Sequence, residues 1–97
     1  MRRREVLQLL HVHADELRRD FGVASLRLFG SVARDEAAER SDVDLLVAFA
    51  RAPSFREFMR LRLRLEDLLG TTVDLVTETG LKPVVRPYVE QDAIPVA

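Results

Sequence analysis

Residues 26–47, LRLFGSVARDEAAERSDVDLLV, decide how this chain is read. Leu26 and Leu28 alternate with Arg27 and Phe29, the period of a strand that spans Val23 to Phe29. Gly30-Ser31 breaks it as a turn, and a polar connection leads into Ser41-Asp42-Val43-Asp44-Leu45-Leu46-Val47. With Asp42 to Phe49 as the second strand, side chains alternate faces. The Asp42 and Asp44 alpha carbons then stand roughly 6.5 Å apart on one side, and Val43, Leu45, Val47 and Phe49 fill the other. Two carboxylates held side by side repel each other unless a cation lies between them, and all-oxygen ligands select a hard divalent ion such as Mg²⁺. The same spacing also serves solvated strand edges and turn caps, so this pair alone does not decide the matter.

Two further features weigh towards a site. Backbone N–H groups and the hydroxyl at Gly30-Ser31 can hold phosphate. Asp74 sits in the middle of the strand-like run Thr72-Val73-Asp74-Leu75-Val76, where a carboxylate is costly without a purpose. Gly30-Ser31-x-Ala33-Arg34, Ser41-Asp42-x-Asp44-Leu45-Leu46-Val47 and Val73-Asp74-Leu75-Val76 together resemble the minimal nucleotidyltransferases of the DNA polymerase β superfamily. Leu81-Lys82-Pro83 and the closing Ala93-Ile94-Pro95-Val96 are similar to the usual ending of those proteins.

The resemblance implies an α/β (α+β) nucleotidyltransferase fold, a small mixed three-stranded sheet flanked by about four helices, in a single domain over residues 1–97. It implies that Asp42, Asp44 and Asp74 are the catalytic carboxylates and hold two Mg²⁺ ions, Asp42 and Asp44 bridging both. Asp74 would complete the ion that activates the acceptor hydroxyl. Gly30 and Ser31 would hold the β- and γ-phosphates of ATP, with Arg34 either assisting or simply a surface residue. The implied reaction moves a nucleotide, AMP from ATP, to a hydroxyl. Minimal members act as antitoxins that bind an HEPN-type toxin and adenylylate it on tyrosine. A second reading is a non-catalytic module that neutralises its partner by binding alone. Asp35 stands where the family has Gly; Asp tolerates a left-handed backbone, but it adds negative charge near a phosphate site.

Composition narrows the rest. A chain of 97 residues makes one domain, burying roughly 60–65% of its unfolded surface. It is short enough that a partner or a second copy would have to complete a nucleotide or acceptor pocket. Fifteen Lys plus Arg against sixteen Asp plus Glu give a net charge of −1, which offers no bulk attraction to nucleic acid or anionic membrane. The cations are nearly all Arg, suited to bidentate phosphate contacts, with Lys82 the single lysine. There are no cysteines, hence no disulfides or thiolate metal sites. Apolar runs too short to span a bilayer and an Arg-rich start without a following apolar stretch indicate a cytoplasmic protein.

Elsewhere, Val6, Leu9, Leu10, His13, Leu17 and Phe21 recur at helical spacing, which predicts one amphipathic helix from Arg4 to Asp20 stopped by Gly22. His11 and His13 point to different faces and read as surface or boundary residues. A short helix from Val32 to about Glu36, capped by Ser31, follows the turn. Ser54 and Glu57 form a capping box for a helix from Phe55 to Leu69, although Arg60 to Leu65 alternates as a strand would. That helix buries Phe58, Leu61, Leu65 and Leu68, while Arg56, Arg60, Arg62 and Arg64 read as a solvated face. Thr71 to Thr77 is the third strand, parallel to the second through a right-handed crossover. Leu81 to Ala93 is a last helix whose first turns Pro87 should disturb, and Tyr88 reads as a packing residue.

Overall fold

Four strands, β1 (Val23–Phe29), β2 (Val43–Phe49), β3 (Val73–Thr77) and β4 (Ile94–Pro95), form one sheet in the order β3-β2-β1-β4 in the computed structural model, which describes residues 1–36 and 42–96. β1 and β2 run antiparallel with Phe29 opposite Asp44, as the short link between them requires. β2 and β3 run parallel with Asp44 opposite Asp74, as a helical crossover permits. The connection expected over Asp35 to Arg40 falls, beyond Glu36, outside the described residues, and so does Ser41.

The fourth strand corrects the three-stranded expectation. β4 pairs antiparallel with β1, Ile94 opposite Leu28 and Pro95 opposite Arg27. Two residues carry no period-two pattern, and a proline in them argues against a strand except at a sheet edge, which is where this one lies.

Helices α1 (Arg3–Val12), α2 (Ala14–Phe21) and α4 (Phe55–Leu69) carry the apolar face of the sheet. The single helix expected over Arg4–Asp20 is broken at His13, whose backbone turns to φ −101, ψ 11. The His13 N–H donates to Leu10 O at 3.2 Å, and its Nδ1 stands 3.3 Å from Glu16 Oε1 in the next helix. The apolar spacing runs straight through this break, with Val6, Leu10 and Leu17 all fully buried. Periodicity alone therefore could not show it.

α4 settles the Arg60–Leu65 ambiguity in favour of helix, with Leu61, Leu65 and Leu69 buried and Phe58 and Leu68 packed against the core. Its start is fixed reciprocally: the Glu57 N–H donates to Ser54 Oγ at 3.1 Å and the Ser54 N–H to Glu57 Oε1 at 2.9 Å. Its end is tied to β3 by the Val73 N–H donating to Glu66 Oε2 at 2.9 Å. Ser54→Ala should cost about 1 kcal/mol, read as a melting temperature lowered by several degrees in a domain of this size; an unchanged melt would mean that the cap contributes nothing. The α4 arginines are not a uniform solvated face. Arg64 bonds Glu16 at 2.7 Å and Asp67 at 2.9 Å, and the Arg60 guanidinium lies 5.1 Å from the centre of the Phe21 ring.

The opposite face of the sheet is covered by α5 (Arg86–Asp92). This helix begins later than the expected Leu81, with Pro87 in its first turn. There a missing N–H costs nothing, so the proline opens the helix instead of disturbing it. Leu46 and Val89, both buried, lie outside the main core cluster and fill this second layer. Beside Leu46, Arg27 donates to Glu90 at 2.6 Å and to Glu78 at 2.8 Å. Those two carboxylates, Glu90 first, hold the guanidinium firmly charged. Tyr88 is 71% exposed, so the packing role expected for it does not hold; Val89 takes the inward position instead. Counting a one-turn helix after β1, the described residues form five helices, against about four expected. No helix among the described residues is long and apolar enough to cross a membrane.

Candidate active site

The turn after β1 closes at once into a single helical turn, α3 (Gly30–Ala33). It begins two residues before the expected Val32, and Ser31 lies inside it and makes no cap; Phe29 holds the cap position without a side-chain bond. The N–H groups of such a first turn have no partner within the helix. Gly30 has φ +76, and a Cβ built on it would overlap Asp44 Oδ2 and stand 3.0 Å from Asp44 Cγ. The glycine–serine bend is therefore packed directly onto the second aspartate of the pair. Asp35 takes φ +59, the left-handed conformation its position demands, and its Oδ1 accepts from the Arg3 N–H at 3.3 Å.

Asp44 is the half-buried centre of the acidic group, between two exposed acids. Register places it directly beside Asp74 on the neighbouring strand, and directly paired residues project to the same face of a sheet. Burial pushes the Asp44 carboxyl up to about 6, reinforced by the charge of Asp74, a hydrogen bond shared with it and the charge of Asp42. The positive charge of Arg34 offsets this only slightly. Asp42 lies just before β2 and Asp74 within β3, and both are exposed. Asp74 and Asp42 thus both act on the charge of Asp44. Among the described residues, however, no group of three His, Cys, Asp or Glu side chains is arranged to hold a metal ion. What the backbone fixes is the Asp44–Asp74 pair; the exposed side chain of Asp42 has rotamer freedom to approach it or to leave it.

Arg34 follows α3 and is held away from free solvent motion. Its Nη1 donates to Asp92 at 2.6 Å and its Nε to Glu36 at 3.1 Å, so Asp92 above all holds the guanidinium charged. Arg34 is thus an anchored residue near the surface whose charge reaches Asp44. Asp92 had no signal in the sequence, because its partner lies far away along the chain.

Residues 10–96 match the family model for the nucleotidyltransferase domain. The chain belongs to that family. The nucleotidyltransferase is 44% identical over 90 residues to the protein adenylyltransferase MntA of Thermococcus cleftensis, covering 93% of this chain and 91% of that one. It superposes with a TM-score of 0.81 and 45% identity on a solved minimal nucleotidyltransferase candidate, covering 98% and 96% of the two chains. It also shares its fold with a chain of the complex between the tri-AMPylated HEPN toxin of Shewanella oneidensis and its MNT antitoxin. There the TM-score is 0.68 at 24% identity, over 94% of this chain and 71% of the other.

Proposed function

We propose that this nucleotidyltransferase moves AMP from ATP onto a hydroxyl of a partner protein, a tyrosine of an HEPN-type toxin, and thereby acts as its antitoxin. The observation that carries the reading is the in-register Asp44–Asp74 pair with the Gly30 turn packed against it. The donor set fits Mg²⁺, because it consists of carboxylates alone and crowds like charges around a half-buried acid that a cation would relieve. Asp44 and Asp74 would hold it with Asp42, and bound Mg²⁺ would supply charge stabilisation for the attacking and leaving oxygens of an in-line displacement. Ser31 and the N–H groups of α3 would orient the β- and γ-phosphates. Arg34, fixed by Asp92, adds positive charge on the same side. Adenylyl transfer to protein is the activity of the MntA relative, and an AMPylated HEPN toxin is the partner in the Shewanella complex.

The competing reading, neutralisation by binding without transfer, draws on the absence of a ready three-acid metal group among the described residues. One experiment separates the two. ATP- and Mg²⁺-dependent label transfer to the co-expressed partner should vanish in Asp42→Asn with Asp44→Asn while the complex still forms. If the double variant neutralises the partner as fully as the wild type, the transfer reading is wrong.

A further inference from the structure

At the end of the sheet away from Asp44, a cleft of about 660 Å³ opens between the end of α2, the start of α4 and the segment after β2. Asp44 and Phe49 lie five residues apart on β2, and the cleft begins at Phe49, so the two regions lie roughly 17 Å apart. Arg18, Arg19, Arg51 and Arg60 line it, against Asp20 and Glu57. The acids are already engaged. Asp20 pairs with Arg19 at 3.2 Å, and Glu57 accepts from the Ser54 N–H in the α4 cap. No ion pair among the described residues involves Arg18, Arg51 or Arg60. By contrast Arg27, Arg34, Arg64 and Arg86 all spend their charge internally. Arg51 and Arg60 act at longer range on Glu57, but four arginines against two acids leave the cavity locally positive in a chain of net charge −1. One of them is pre-positioned, since Arg60 lies over the Phe21 ring.

We infer that this cleft is a docking site for an acidic polypeptide segment of a partner protein, its carboxylates paired by Arg18, Arg51 and Arg60. Guanidiniums recognise carboxylates by forked hydrogen bonds. Asp20 and Glu57 on the same lining would repel a continuous phosphate backbone, yet they tolerate a peptide whose charges are interrupted by neutral residues. The site holds a partner at a distance from Asp44 and does not depend on the transfer reaction.

The test uses the full chain and a short fluorescein-labelled peptide of alternating Glu and Ala, followed by fluorescence anisotropy. Binding should weaken as salt is raised from low to physiological strength and fall by roughly tenfold or more in Arg18→Glu with Arg51→Glu. Arg2→Glu with Arg4→Glu, an equal charge change at the start of α1, should leave it intact. A peptide of alternating Lys and Ala should bind the Arg18→Glu, Arg51→Glu variant better than the wild type, a reversal that a purely structural role would not produce. The inference is overturned if the acidic peptide does not bind, if both charge-reversed variants lose it equally, or if oligouridine of the same length binds more tightly.

Discussion

Asp44→Asn should make the protein more stable at neutral pH while reducing adenylyl transfer by about a hundredfold or more. The Asp44 carboxyl is raised from 3.8 to about 6 by burial and by its acidic neighbours. In the unfolded chain it ionises freely, so the folded state loses stability at this group as pH climbs from about 4 through about 6. Below that range the group is protonated in both states and costs nothing. Its contact with solvent limits the penalty to on the order of 1–2 kcal/mol at neutral pH. The amide removes the charge, keeps the shape and can donate to Asp74. Thermal melts should therefore show the variant several degrees above the wild type at about pH 7.5 and close to it at about pH 4.5. A variant that melts below the wild type at neutral pH would show that no like-charge cost is stored there.

Gly30→Ala should separate the two left-handed glycines that flank β1. Gly22 and Gly30 both have positive φ, +68 and +76, so alanine at either strains the backbone by about 1 kcal/mol. Around Gly22 no atom lies within 4 Å of an added Cβ, whereas at Gly30 the Cβ would overlap the Asp44 carboxylate. Gly22→Ala should thus lower the melting temperature and leave label transfer near the wild-type rate. Gly30→Ala should displace Asp44 from Asp74 and reduce transfer by on the order of a hundredfold, in a protein that still shows its helices and strands by circular dichroism. Equal activity in the two alanine variants would mean that the bend does not position the acid.

Both aspartate strands, their antiparallel and parallel pairings and the capped α4 were legible from sequence. In each case a local signal agreed with the tertiary outcome: alternation in Val43–Phe49, the Ser54–Glu57 box, and a crossover long enough for parallel return. The misreadings have a common cause. β4 is too short to carry a pattern, the His13 break leaves the apolar period undisturbed, and Pro87 reads as a breaker or as a first-turn residue depending on where the helix begins. The loop of the candidate site was half legible. Gly30-Ser31 marked the bend, but the crowding of Gly30 against Asp44 and the grip of Asp92 on Arg34 arise from residues distant in sequence, and only packing reveals them.

The adjacency of Asp44 and Asp74 comes from backbone ladder bonds between two parallel strands and not from any loop. A slip of that ladder by one residue would turn Asp74 into the apolar interior and bring Val73 or Leu75 out beside Asp44. The connecting helix can vary in sequence, and even in length, at little cost to the reaction centre, provided that Leu61, Leu65 and Leu69 still lock β3 in phase. Conversely, a core substitution far from any phosphate could silence the enzyme without touching a single acidic residue.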